Sequence, residues 1–260
     1  MRLRIATLAL TLFVATPAVA GAASSQDTPW QPDMKAARDY AHHRRGIIAF
    51  EVRTEQHQWG YNDTRTMPSA SVIKAMLLVA YLDLPGVQGR ALRANERSIL
   101  GPMIRRSDDG ATNHVFSHVG YGGLKALARR VGMSRFKTDG HWGRSSIDAA
   151  DQGLFLLHID QYIVARHRAY AMKLLSEVIP PERWGIAQVR PRGWTLYFKG
   201  GWGAGTGWVD HQVALLTRGS ERVALVILTH WDPSHSYGKA TLRGLAARLL
   251  RGLSAAQTIG

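Results

Sequence analysis

Ser71 and Lys74 stand three residues apart at the head of an apolar run, MPSASVIKAMLLVAYL, residues 67–82. On a helix, residues three apart are neighbours with Cβ atoms about 5–6 Å apart. A hydroxyl and an amine would then share one face, as a nucleophile and a proton acceptor. The helix N-terminus adds free N–H groups and positive partial charge where an oxyanion would form. Alone, the pair also fits a capping serine beside a solvated lysine.

Two later groups could complete this chemistry. Residues 105–113 read RRSDDGATN. At a helix break, the Ser107 hydroxyl could relay a proton into a cleft; Ser107-Asp108-Asp109 is equally what helix capping predicts. Further on, Lys199 precedes Gly200, Gly201 and Trp202. A lysine there suits a substrate carboxylate, and glycine lets the backbone approach a ligand closely. The bland alternative is a basic residue before a turn.

The elements that must position these groups follow from the pattern. Residues 32–44 predict a helix, and Gly46–Arg53 with Gln58–Tyr61 a hairpin. Pro68 holds Met67 out of helical geometry, so the next helix begins near Ser69 or Ala70 and runs to about Asp83, where Pro85-Gly86 ends it. Residues 90–132 read as helical, with breaks at Gly101-Pro102, Gly110 and Gly120. Residues 133–147 are irregular. Asp148–Ile159 and Arg166–Val178 read as helices, then Trp194–Lys199, Val209–Thr217 and Glu221–Thr229 as strands, and Tyr237–Leu253 as a closing helix. Strands at both ends with helices between predict an α+β fold: an antiparallel sheet flanked by the terminal helices, with an all-helical subdomain inserted over about residues 70–190.

Composition narrows the function classes. The chain has 260 residues, no cysteine and a formal charge of +14. Thiol nucleophiles, disulfides and cysteine metal sites are excluded. Arginines are scattered and form no block of the kind that grips nucleic acid; a basic surface favours anionic partners such as cell-wall polymers. Arg2 and Arg4, the apolar Ile5–Ala15 run and Ala18-Val19-Ala20 predict a signal peptide over 1–20, with Gly21-Ala22-Ala23 as a competing cleavage site. A polar leader, 21–33, then precedes one domain, 34–260. The expected location is secreted, periplasmic or cell-wall associated, with no stable membrane span.

The ordered set Ser71-x-x-Lys74, Ser107-Asp108-Asp109 and Lys199-Gly200-Gly201 resembles the serine penicillin-recognising enzymes, class A β-lactamases and penicillin-binding D,D-peptidases. The resemblance implies their β-lactamase/transpeptidase-like fold over nearly the whole mature chain. It implies Ser71 as the acylated nucleophile, Lys74 as proton acceptor and Ser107 as proton shuttle. It also implies Lys199 as carboxylate ligand, and the N–H groups of Ser71 and Trp202 as oxyanion hole. Asn113 takes a structural role. Asp109, Lys199, Gly201 and Trp202 form the substrate-binding set. No cofactor or metal is implied, and the partner is a small β-lactam or a cell-wall peptide met by a monomer.

Three departures stand out. Asp109 replaces an amide, and a carboxylate only accepts hydrogen bonds. Gly200 removes a hydroxyl. Residues 134–147, SRFKTDGHWGRSSI, carry no glutamate where class A enzymes have one on a loop to activate the deacylating water. Asp139 is the acid available there, and His141 a second candidate base. Acylation is therefore better provided for than release. The leading expectation is a class A-type serine acyl-hydrolase opening β-lactam or related amide bonds. A D,D-peptidase or penicillin-binding protein is the alternative, and a catalytically weak wall-binding module on the same fold is the third. His114 and His118, four apart on a helix, lack a third metal ligand; Trp142, Trp202 and Trp208 are candidates for lining a cleft.

Overall fold

The computed structural model describes residues 29–253; the expected signal peptide and most of the leader lie outside them. Helix α1 spans Met34–His42, capped by the Asp33 carboxylate, which accepts the Ala36 N–H. Strands β1 (Ile47–Arg53) and β2 (Gln58–Tyr61) follow. A short strand, β3 (Met67–Pro68), leads into a 3₁₀ turn, Ala70–Val72, and then helix α2, Ile73–Leu82. Beyond these come α3 (Pro85–Gln88), α4 (Ala94–Arg105) and α5 (Asp109–Val131). Strand β4 (Ser146–Ile147) pairs with β3, and α6 (Ala149–Leu157) and α7 (Ala165–Ser176) complete the helical part. Strands β5 (Thr195–Gly203), β6 (Val209–Arg218) and β7 (Glu221–His230) then precede the closing helix α8, His235–Leu249.

The main sheet is antiparallel in the order β2-β1-β7-β6-β5, so N- and C-terminal segments share it as the pattern predicts. Side chains alternate across a strand, and this alternation divides the core in two. Ile48, Phe50, Val52, Ala214, Leu216, Leu225 and Ile227 pack under α1 and α8. Ala49, Val213, Leu215, Val226 and Leu228 face the helical part around α2. All ten residues of α2 are buried. A helix apolar on every side belongs in a core, and Lys74 is its one charged residue.

Two local expectations differ. Gly101-Pro102 does not break α4, although proline removes a helical donor. Leu100, Met103 and Ile104 are buried around it, and this packing carries the helix on to Arg105. The break falls instead at Arg106–Asp108, where Ser107 has φ +57°. Strand β5 also continues past Lys199 to Gly203, which puts Lys199 in mid-strand.

Candidate active site

Ser71 lies in the 3₁₀ turn and Lys74 in the first turn of α2, which begins at Ile73. Ala70, just before the serine, has φ +45°. A non-glycine residue there is strained by roughly 1–3 kcal/mol and persists only where its surroundings hold it. They do: the Ser69 N–H donates to the Ser145 carbonyl at 2.8 Å, and the buried His211 donates through Nε2 to the Pro68 carbonyl at 2.8 Å. His211 Nδ1 accepts the Thr229 N–H, so the ring is neutral, and burial pushes it down to about 4.

Three of the expected residues meet at one hydroxyl. Ser107 Oγ accepts from Lys199 Nζ at 2.9 Å and from Lys74 Nζ at 3.3 Å. A hydroxyl has two acceptor positions and one donor, so with both acceptor positions used its own proton is left to donate elsewhere. Lys74 donates further to the Ser107 carbonyl and to Asp109 Oδ1, each at 2.6 Å. Lys199 also donates to the Gly200 carbonyl at 2.7 Å. Burial depresses both ammonium groups below the usual lysine range; the Asp109 carboxylate pulls Lys74 back up, and the charge of Lys74 pushes Lys199 further down. Two buried cations around one hydroxyl favour the loss of a proton from one of them.

Glycine at 201 has a steric cause. A Cβ there would lie 2.6 Å from the Ser71 nitrogen and 2.7 Å from that of Val72. The β5 backbone therefore runs directly against the nucleophile turn. Strand β5 is at the sheet edge, and alternate N–H groups of an edge strand have no strand partner. The main chain of Trp202 follows at this contact. Its indole is 48% exposed and stacks on His235, which pairs through Nδ1 with the buried Asp210 at 2.6 Å. At Gly200 an added Cβ would lie 3.4 Å from Trp184 Cζ2. The indole of Trp184 thus covers the side of β5 where a threonine or serine hydroxyl would project, and no sequence signal points to it.

A cleft of about 380 Å³ is lined by Ser71, Asp109, His141, Trp142, Arg144 and Trp202, among others. Asp109 is the one carboxylate among the described residues that line it. The 134–147 segment forms the far bank. Its Trp142, in a 3₁₀ turn Trp142–Arg144, is buried and places its ring 5.0 Å from Lys74 Nζ. Asn113 accepts the Trp142 indole N–H at 2.8 Å. His141 Nδ1 accepts the Gly143 N–H at 3.1 Å, so Nε2 carries the proton of the neutral ring, and His141 offers a donor to the cleft. Asp139 lies on an exposed stretch outside the cleft lining. Trp208 is partly exposed. His118 Nδ1 donates to the His114 carbonyl, and no group of three metal-ligating side chains occurs among the described residues. No helix among them is long and apolar enough to cross a membrane.

A model of the beta-lactamase enzyme family matches residues 86–253, a span that takes in Ser107 and Lys199 and begins after Lys74. No curated protein matches the sequence. Among solved structures, a beta-lactamase from Xanthomonas campestris is 15% identical over 85% of this chain and 97% of its own, with a TM-score of 0.72. An ancestral class A beta-lactamase is 14% identical over 85% of this chain and 99% of its own, at 0.73. A variant of PBP-A, solved as an acyl-enzyme complex with penicillin G, is 14% identical over 86% of this chain and 96% of its own, at 0.71. At such identity the likeness is one of fold.

Proposed function

The chain belongs to the beta-lactamase enzyme family, and we propose that it is a serine acyl-hydrolase of the class A type, opening β-lactam or related amide bonds through an acyl-enzyme on Ser71. The observation that carries this reading is the Ser107 hydroxyl held by both Lys74 and Lys199 beside the Ser71 cleft. Neutral Lys74 takes the Ser71 proton as Oγ attacks the carbonyl. The oxyanion forms between the N–H groups of Ser71 and Trp202, fixed main-chain donors, each worth several kcal/mol in comparable sites. Ser107 delivers a proton to the leaving nitrogen, and Lys74 replenishes it across their hydrogen bond. Lys199 receives the substrate carboxylate. The N-terminal pattern supports export, and we include in the reading a signal peptide cleaved after Ala20 and a secreted or periplasmic location.

A second reading, a penicillin-binding peptidase that releases its acyl group slowly, is favoured by one observation: Trp142, not a glutamate, stands over Lys74. The two readings separate in one experiment. The mature protein is mixed with benzylpenicillin, and intact mass is followed over time beside Ser71→Ala. A transient adduct on the wild-type chain with accumulating product supports the hydrolase. A persistent adduct supports the penicillin-binding reading. No adduct, or an equal adduct on Ser71→Ala, overturns both and leaves the wall-binding module.

A further inference from the structure

We propose that Asp109 is the base that activates the deacylating water. The inference rests on the Ser71 acyl-enzyme reading and supplies what that reading lacks.

Asp109 meets the requirements of such a base by position. It lines the same cleft as Ser71, and no other carboxylate does so among the described lining residues. Its side chain is 72% exposed, so water reaches it, and only Oδ1 is engaged, by Lys74 at 2.6 Å. Oδ2 is left as an acceptor beside the cleft. The carboxylate is also held in place: Asp109 opens α5, directly after the Asp108 N-cap that accepts the Ala111 N–H at 2.7 Å. The other candidates fall short on geometry. Asp139 is outside the lining, and His141 already uses Nδ1 as an acceptor.

The Lys74–Asp109 hydrogen bond closes the proton circuit. Acylation leaves Lys74 neutral, since it has passed its proton on to Ser107. Oδ2 of Asp109 takes a proton from water as the water oxygen bonds to the acyl carbon. The oxyanion then collapses, and the bond from carbon to Ser71 Oγ breaks. Asp109, now a neutral acid, passes its proton to Lys74 across their hydrogen bond, and Lys74 gives it to the departing Oγ. The products are a free serine and a carboxylic acid, with Asp109 ionised and Lys74 neutral for the next acylation. An amide at this position could make the first contact with Lys74 but could not accept the water proton. The Asp109 departure from the resembled pattern thus compensates for the missing glutamate.

The test compares wild type, Asp109→Asn and Asp139→Asn in the benzylpenicillin mass experiment, with thermal melts confirming that each is folded. Asp109→Asn is expected to form the adduct, since loss of the carboxylate frees Lys74 to shed its proton. It is expected to release the adduct about 10²–10⁴-fold more slowly, the usual worth of general-base catalysis. Asp139→Asn is expected to release at the wild-type rate. Equal release by wild type and Asp109→Asn, or trapping by Asp139→Asn instead, overturns this inference alone. Absence of any adduct on the wild-type chain overturns the acyl-enzyme reading together with it.

Discussion

Asn113 Oδ1 accepts the indole N–H of Trp142 at 2.8 Å, and so a residue of α5 fixes the ring that stands over the amine of Lys74. A cation near an aromatic face gains about 0.5–2 kcal/mol, more where the site is dry. The contact favours the ammonium form of Lys74 and restricts water beside it. The loop that carries Trp142 is in turn tied to the nucleophile turn through Ser145 and Ser69. The roof of the cleft and its floor therefore form one hydrogen-bonded unit.

Asn113→Ala removes the acceptor from a buried indole. The expected loss is about 1 kcal/mol, at the low end for an unsatisfied buried donor, because Asn113 itself is exposed and water can enter. Urea unfolding of Asn113→Ala, Trp142→Phe and the double variant checks it. The double variant is expected to lose less than the sum of the two singles. Strict additivity would mean that the pair does not interact.

Acylation carries a pH dependence whose sign follows from Lys74. The residue serves as acceptor only when neutral, so the rate of adduct formation rises with pH. Burial moves that rise below the ordinary lysine range, and Asp109 opposes it. Asp109→Asn therefore shifts the ascending limb to lower pH, and Asp109→Glu leaves it close to wild type. Stopped-flow or quenched acylation from about pH 6 to 10, a window that brackets a lysine depressed by burial, measures both. A limb that stays in place when Asp109 is neutralised would remove Lys74 from the role of base.

These expectations show which parts of the site are legible in the sequence. Ser71, Lys74 and Ser107 are readable because each lies near an element boundary marked by proline or a capping group, and Lys199 because two glycines follow it, although the strand runs on through them. The sheet is readable because its strands are short apolar runs with turn residues between them. What is not readable depends on contacts between distant segments. Trp184 meets Gly200 because Gln212 of β6, the cross-strand partner of Gly200, holds the Trp184 carbonyl and the Ile186 N–H. The Lys74–Asp109 pair needs the positive φ of Ser107, a backbone state that composition does not reveal. Pro102 misleads for the reverse reason, since tertiary packing outweighs its local preference.

Gly201→Ala tests the close approach that defines the oxyanion side of the cleft. The new methyl carbon would meet the main-chain nitrogens of Ser71 and Val72 at 2.6 and 2.7 Å, and backbone cannot rotate aside as a side chain can. The strand and the nucleophile turn must separate. Acylation is expected to fall by about 10²-fold or more, the scale for loss of one oxyanion donor. The sheet itself should persist, because β5 keeps its pairing with β6 along the rest of its length. Circular dichroism and a thermal melt check the fold, and adduct formation the chemistry. An unimpaired acylation rate in a folded variant would place the oxyanion elsewhere.

Glu51 is a buried carboxylate outside this cleft. It lies in β1 against Gly153 of α6, with Oε1 paired to Arg53 at 2.7 Å and Oε2 without a partner. Burial pushes its carboxyl up to about 8, and the Arg53 guanidinium offsets only part of this. Between about 4.5 and 8 the native state then holds a proton that the unfolded chain has released. A raised folded value contributes stability that is fully present below the unfolded value and is lost as pH rises through the folded one. Glu51→Gln keeps the shape and cannot ionise. It is expected to melt close to wild type near pH 5 and clearly above it near pH 9, on either side of the raised value of about 8. The gap reaches a few kcal/mol at most, since a tenfold change in proton affinity is worth about 1.36 kcal/mol. Measuring the difference between the two chains cancels the opposing titrations of Lys74 and Lys199, which the substitution leaves in place. A difference that stays constant across that pH range would mean that Glu51 is already ionised in the fold, held so by Arg53.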